Sequence, residues 1–137
     1  MILVDTNVWS EAFRKRPDDR VQRWAEANAE RLWLATVVIG ELLSGAALLD
    51  EGSRKTALLA SFDRLIAERA DRIAAFDLEA ARHYGPILAH QVRAGRSPGT
   101  ADSQIAAIAR SRDLTLATRN VKHFEGLGLE LVNPWIP

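Results

Sequence analysis

Cysteine is absent from the 137 residues of this chain, and no charge of one sign is in excess. Without cysteine the chain forms neither disulfides nor thiolate metal sites, which suits a reducing compartment. Lysine plus arginine and aspartate plus glutamate each number 18, so the formal net charge is zero. The net charge therefore does not indicate a nucleic-acid partner, and any contact with nucleic acid must rest on local patches of basic residues.

Long apolar runs are also missing. No run approaches the roughly 20 residues that a membrane-spanning helix needs. The first residues carry no basic segment before their apolar stretch, and Asp5 interrupts that stretch early, unlike a secretory signal. We therefore expect a soluble cytoplasmic protein with no membrane partner.

Several common catalytic motifs are absent too. The chain has no glycine-rich phosphate loop of the P-loop or dinucleotide type, and no Gly-x-Ser-x-Gly nucleophile motif. Its three histidines do not have the spacing of zinc ligands. Nucleotide-cofactor, serine-hydrolase and zinc chemistry are thus disfavoured.

Hydrophobic residues make up 47% of the chain, which is enough for a sizeable core in a single domain over residues 1–137. Strand-like and helix-like segments alternate along the whole length. This alternation predicts an α/β fold, a three-layer α/β/α sandwich with a mostly parallel central sheet. Right-handed crossovers would connect its strands.

Local patterns predict where these segments lie. A short buried strand ends just before Asp5, and further strands are expected at 31–36, 72–76, 115–117 and 129–132. Helices are expected at 7–14, from 18 or 19 onward, after Thr36, at 53–70, after Asp77 and after Thr100. Thr36, Asp77 and Thr100 are the predicted N-caps of the helices that follow them.

Three carboxylates share one kind of position. Asp5 follows a strand, Glu41 lies early in the helix after a strand, and Asp102 lies in the first turn of a helix after a glycine-rich loop. In a parallel sheet these positions gather at one edge, where a hard divalent cation such as Mg²⁺ or Mn²⁺ would relieve the mutual repulsion. The alternative treats Asp5 and Asp102 as helix-start residues and pairs Glu41 with an arginine. Glu41 is the hardest to explain that way, because burying it in the apolar stretch 37–43 would be costly.

Four segments in order resemble the PIN-domain family. The segments are 1–7, 36–42, 99–107 and 116–120, and the terminal Asn133-Pro134-Trp135 fits as well. The chain is most similar to the VapC-type ribonuclease toxins of bacterial toxin–antitoxin pairs, in particular their FitB-like branch. The likeness covers essentially the whole chain, and four segments in the right order are fairly specific.

The resemblance implies an endoribonuclease that depends on Mg²⁺, with Mn²⁺ able to substitute. Asp5, Glu41 and Asp102 would be the metal ligands and catalytic carboxylates. Thr6 and Asn7 would support the first of them. Thr118 would be the small hydroxyl residue beside the site.

One departure from the family pattern concerns the segment after Thr118. Many relatives carry a further acid where this chain has Asn120, and the acid often seen three residues later is His123. Asn120 can still act through its carbonyl oxygen or hold a metal-bound water, but it supplies no charge. The number of metal ions, one or two, therefore stays open. For His123, a proton-donor or phosphate-binding role and a plain surface role both stay open.

The resemblance also implies partners. These are an RNA substrate, a cognate VapB-like antitoxin, a second copy of the chain, and DNA bound only through the antitoxin in a larger complex. The helices near Trp9, Phe13, Leu48 and Leu49 are candidates for the antitoxin groove and equally for core. Basic residues that could touch RNA are not ranked by sequence; they are Arg14, Lys15, Arg16, Arg93 and Arg96.

Two other functions remain as alternatives. A catalytically weakened PIN-like module would act mainly through its complex with a small antitoxin-like partner, and Asn120 and His123 favour it. A small phosphohydrolase on a similar frame is disfavoured, because no aspartate with a second aspartate two residues on offers a nucleophile motif.

Overall fold

A parallel sheet forms the centre of the computed structural model, which describes all residues 1–137. Its order is β3-β2-β1-β4-β5, and all four neighbouring pairs are parallel. The strands are β1 (Ile2–Val4), β2 (Leu32–Ala35), β3 (Ile73–Ala74), β4 (Thr115–Ala117) and β5 (Leu131–Val132). In the central strand, Leu3 pairs with Trp33 on one side and Leu116 on the other. The continuous apolar run of β1 is thus explained, because this strand is buried on both faces.

Six α-helices connect the strands: α1 (Thr6–Glu11), α2 (Asp19–Ala27), α3 (Thr36–Ala47), α4 (Ser53–Glu68), α5 (Leu78–Arg93) and α6 (Thr100–Ser111). The chain moves from β1 through β2 to β3 in one direction and then crosses back to β4. Right-handed crossovers therefore place α1 to α4 on one face of the sheet and α5 and α6 on the other. The predicted α/β/α sandwich is confirmed, and its sheet is wholly parallel.

Helix α6 is the most deeply buried of these helices. Residues 105–109 all have no exposed surface, and the helix packs against α5 and β4. Small alanine side chains in this run let its neighbours come close. Asp77 before α5 pairs with Arg112 after α6, whereas Gln91 late in α5 lines a cavity with Asp102 early in α6. The two helices are therefore antiparallel.

The predicted end of the first helix at residue 14 was wrong. Helix α1 ends at Glu11, whose side chain turns inward and is only 4% exposed. Its carboxylate accepts a hydrogen bond from the Asp18 backbone N–H at 2.9 Å and one from Arg14 at 3.3 Å. Glu11 thus ties the loop that follows α1 to the core.

Two predicted caps were also displaced by one residue. Ala35 and Gly99 occupy the N-cap positions of α3 and α6, and Thr36 and Thr100 are the first helical residues. The hydroxyl of Thr36 instead accepts a hydrogen bond from the Phe76 N–H at 3.3 Å, which ties the start of α3 to the segment after β3. Asp77 caps α5 as predicted, accepting from the Ala80 N–H at 3.0 Å.

Strands β3 and β5 are two residues each, shorter than the predicted ranges 72–76 and 129–132. Both are edge strands, which pair on one side only, and short edges leave fewer backbone groups unpaired. None of the helices combines the length and apolar character that crossing a bilayer requires.

Candidate active site

The candidate site lies where β1 and β4 end side by side. After β1 the chain moves to β2 on one side, and β4 and β5 lie on the other, so this is the switch point of the sheet. Open parallel sheets bind ligands at such a point, beyond the carboxyl ends of the strands. Asp5 follows β1 and Thr118 follows β4, and the Asp5 N–H bonds the Ala117 carbonyl at 2.9 Å. The two side chains therefore meet at this edge.

Asp5 is a buried carboxylate held by three donors. It is 4% exposed. The Thr118 hydroxyl donates to its Oδ2 at 2.7 Å, the Thr6 N–H donates to its Oδ1 at 2.8 Å, and the Asn7 amide donates to its Oδ2 at 3.3 Å. Asp5 is also the N-cap residue of α1. The capping role and a place in the acidic group are thus compatible.

Opposing effects act on the pKa of Asp5. Burial raises this pKa, the hydrogen bonds from Thr118 and Thr6 lower it, and the charges of Asp102 and Glu41 raise it. The net direction is upward. Asp5 is therefore close enough to Asp102 and to Glu41 to interact electrostatically with each, and a bound cation would relieve the energy of ionising Asp5.

Glu41 is exposed, contrary to the expectation of a costly buried carboxylate. On α3 it lies one residue before the buried Leu42, hence about 100° around the helix axis from it. That rotation places Glu41 beside the apolar stripe rather than in it. Its Oε1 accepts a hydrogen bond of 2.5 Å from the Thr6 hydroxyl, which links α3 to the exit of β1.

Asp102 reaches the site from the first turn of α6. Its side chain is 37% exposed, and its Oδ2 lies 3.7 Å from Nδ1 of His123. His123 belongs to a short 3-10 turn (Val121–Phe124) and its side chain is 62% exposed. The histidine thus faces a candidate ligand across the site.

The β4 exit carries two further contacts. The fully buried Thr118 hydroxyl, which donates to Asp5, accepts from the Asn120 N–H at 3.1 Å. Asn120 is exposed, and its side chain makes no hydrogen bond. The Arg119 N–H donates to Oδ1 of Asn7 at 3.3 Å. Asn7 therefore bridges the two strand exits.

Sequence reasoning missed the cation at this exit. The Arg119 guanidinium lies 4.8 Å above the ring of Trp135, near the end of the chain. An arginine held over an aromatic face keeps its charge and loses little freedom on binding. Its position next to Thr118 was the available signal, but nothing local pointed to Trp135.

The chemical type of the candidate ligands, carboxylate oxygens, fits a hard divalent cation. All three carboxylates offer oxygen ligands, and the charges of Asp102 and Glu41 already disfavour ionisation of Asp5. No three His, Asp or Glu side chains converge closely enough to hold one ion by themselves. Mg²⁺ commonly uses one or two carboxylates and keeps several waters, so this arrangement suits such an ion.

The residues that the sequence offered for the antitoxin groove fall into a core group and a more exposed group. Trp9 is 7% exposed, and Phe13 packs edge-on against Phe62 with ring centres 4.9 Å apart, so both contribute to the core. Leu48 is 86% exposed at the end of α3, and Leu49 is half-buried.

Comparison with known proteins places this fold and site in a family. The family model described as PIN domain matches residues 2–127. The chain belongs to the PIN-domain family. It is 41% identical to StbB, a plasmid stability protein of Pseudomonas syringae pv. tomato, over 98% of this chain and 99% of that protein. It is 37% identical to the VapC ribonuclease Y4jK of Sinorhizobium fredii, over 100% and 99% of the two chains.

A toxin and a solved complex are also similar. The toxin FitB of Neisseria gonorrhoeae is 36% identical, over 98% of this chain and 99% of FitB. A solved structure of FitAB bound to an IR36 DNA fragment contains a chain that superposes with a TM-score of 0.92 at 34% identity, covering 100% of this chain and 97% of that one.

Proposed function

We propose that this protein is the ribonuclease toxin of a toxin–antitoxin pair and hydrolyses RNA phosphodiester bonds at the carboxylates Asp5, Glu41 and Asp102. The observation that carries the proposal is the buried Asp5 carboxylate, hydrogen-bonded by Thr118 and coupled by charge to Glu41 and Asp102. The similarity to a VapC ribonuclease supports RNA as the substrate.

Each proposed ligand is held by its own neighbours. Thr118, Thr6 and Asn7 fix both oxygens of Asp5, and Thr6 also orients Glu41. Mg²⁺, or Mn²⁺ in its place, would supply an activated water and polarise the scissile phosphate. Asn120 is assigned a supporting catalytic role through its side-chain oxygen, which is free of other hydrogen bonds.

The proposed partners follow the relatives. The similarity to FitB, which is named a toxin, and to FitAB bound to DNA supports a small cognate antitoxin for this chain. We assign DNA contacts to the larger complex through that antitoxin, since the chain itself has no net charge. A homodimer of the toxin belongs to the same proposal.

The test is cleavage of a mixed RNA substrate by the purified chain, freed of co-purifying antitoxin, with Mg²⁺, with Mn²⁺ and with chelator. We expect metal-dependent cleavage that Asp5→Asn and Asp102→Asn reduce by at least about a hundredfold, because each removes a charged ligand. Asp63→Asn is the matched control: Asp63 is exposed on α4 and forms no ion pair. Cleavage by Asp5→Asn at the parent rate would refute the site.

The second candidate function is a catalytically weakened PIN-like module. Asn120 favours it, because its neutral side chain stands where the resemblance to the family implies an acid. If neither the parent nor Asp5→Asn cleaves RNA after antitoxin removal, this reading replaces the nuclease.

A further inference from the structure

The structure distinguishes among the basic residues that could contact RNA. Arg14 is paired with Glu11 at 3.3 Å, and Arg93 lines a different cavity from the one that Asp102 lines. Arg96 alone of the candidates named above shares a cavity with Asp102. A cation in that position lies next to a proposed catalytic carboxylate.

The guanidinium of Arg96 is held by two hydrogen bonds and is not neutralised by an ion pair. Its Nη1 donates to Oε1 of Gln91 at 2.7 Å and to the Glu125 carbonyl at 2.8 Å. Arg96 takes part in none of the ion pairs of the chain. Both acceptors are neutral, so the full positive charge remains available, and the other N–H donors of the fork are free for an anion.

Gln91 explains how the arginine is held. Gln91 is 3% exposed on α5, and a buried amide is costly unless both of its ends are hydrogen-bonded. Its Nε2 donates to the His123 carbonyl at 2.7 Å while its Oε1 accepts from Arg96. One buried side chain therefore sets the position of Arg96 relative to the turn that faces Asp102.

The cavity is polar and large enough for a ligand group. Its volume is about 360 Å³, and its lining is Gln91, Arg96, Ser97, Pro98, Gly99, Asp102 and His123. Small-molecule sites usually enclose roughly 300–1,000 Å³, so the cavity is of the scale that holds one nucleotide. The lining places Arg96, which forms no ion pair, beside the carboxylate of Asp102. This arrangement suits a phosphate group next to the phosphodiester bond that is cleaved.

We propose that this cavity binds a nucleotide flanking the scissile bond of single-stranded RNA, with Arg96 donating to its phosphate and Gln91 as the positioning residue. The inference rests on the proposed ribonuclease function and adds the subsite that binds the substrate beside the scissile bond. Arginine is suited to the role because its planar fork forms paired hydrogen bonds with phosphate oxygens.

Binding is measured in the Asp5→Asn background, which separates binding from cleavage. A short fluorescein-labelled single-stranded RNA is titrated in Mg²⁺ at several salt concentrations, beside the same sequence as a duplex. Arg96→Ala is expected to weaken single-strand binding on the order of tenfold and to reduce the salt slope by about one. Arg96→Lys is expected to keep the slope but lose several-fold affinity, because lysine lacks the fork.

Two further variants make the test specific. Arg31→Ala is the matched control, since Arg31 is exposed, forms no carboxylate pair and precedes β2 at the opposite edge of the sheet. In the cleaving chain, Gln91→Leu is expected to raise KM several-fold with kcat unchanged, a split that general destabilisation would not produce. A urea titration confirms that each variant is folded.

The outcomes separate the inference from the function on which it rests. If the parent cleaves RNA but Arg96→Ala and Arg96→Lys bind it like Arg31→Ala, the subsite is refuted and the ribonuclease stands. Tighter binding of the duplex than of the single strand also refutes it. If the parent cleaves no RNA and the Asp5→Asn chain binds none, the proposed function fails and the subsite with it.

Discussion

The hydroxyl of Thr118 favours ionisation of Asp5 in the candidate site. It has no exposed surface, and its short hydrogen bond favours the ionised form of a carboxylate whose pKa burial raises. The same oxygen receives the Asn120 N–H, so Thr118 also orders the segment after β4. A hydroxyl with both donor and acceptor used in this way is not replaceable by an isosteric methyl group.

We expect Thr118→Val to lower stability by about 1–3 kcal/mol, because it leaves buried hydrogen-bonding groups without a partner. It should also change the pH dependence of cleavage. The hydroxyl lowers the pKa of Asp5, so its removal raises that pKa, and Asp5 becomes protonated at higher pH. Since the ionised carboxylate is the proposed ligand, the acidic limb of the pH–rate profile should move upward in pH.

Urea unfolding and a pH–rate profile measure the two effects separately. Thr118→Ser keeps the hydroxyl and is the control that should leave the acidic limb in place. An acidic limb identical in the valine variant would mean that the Thr118 hydrogen bond does not govern Asp5.

At the scale of elements, the packing of α5 against α6 brings Gln91 and Asp102 together. Their antiparallel packing sets Gln91 near the end of α5 beside Asp102 near the start of α6. The opposite end of the pair is held by Asp77, which caps α5 and lies 3.6 Å from Arg112. The geometry around Asp102 therefore depends on how α5 starts as well as how it ends.

Asp77→Ala and Asp77→Asn separate the cap from the ion pair. Alanine removes both, and we expect it to cost about 0.5–2 kcal/mol, the usual loss of an N-cap. Asparagine keeps the cap oxygen and loses only a surface ion pair, which is worth about 0–1 kcal/mol. Urea midpoints measure the difference, and equal losses in both variants would assign the stabilisation to the ion pair instead.

At the scale of the whole molecule, the sheet assembles the site from three distant parts of the chain. Asp5, Glu41 and Asp102 belong to the exit of β1, to α3 and to α6, so a ligand that joins them binds only the folded state. Such a ligand stabilises the fold by mass action, by about 2.7 kcal/mol when its concentration is 100 times Kd.

We therefore expect millimolar Mg²⁺ or Mn²⁺ to raise the Tm of the metal-free chain by several degrees. Asp102→Asn should lose most of the rise, whereas Asp63→Asn should keep it. Thermal unfolding with and without chelator measures both. A Tm that does not respond to metal in the parent chain would favour the catalytically weakened module over the nuclease.

Local sequence patterns account for much of the element layout. Alternating strand-like and helix-like segments correctly predicted the α/β class and the parallel sheet, and Asp77 was correctly identified as a cap. The errors lay at ends and edges. Glu11 turned inward to hold a loop, Thr36 bonded across the sheet, and the edge strands were shorter than their apolar runs.

The sequence by itself determined the alternation of elements and the residues that follow each strand, because burial periodicity and turn chemistry act between near neighbours in the chain. It therefore indicated Asp5, Glu41 and Asp102 as residues of one sheet edge, whereas the place of Thr118 beside them was implied only by the resemblance to the PIN-domain family. Only the tertiary structure decided that Glu41 is exposed and bonded to Thr6, that Arg119 lies over Trp135, and that Gln91 holds Arg96 beside Asp102. These contacts join residues through strand order and helix packing, which no local pattern specifies.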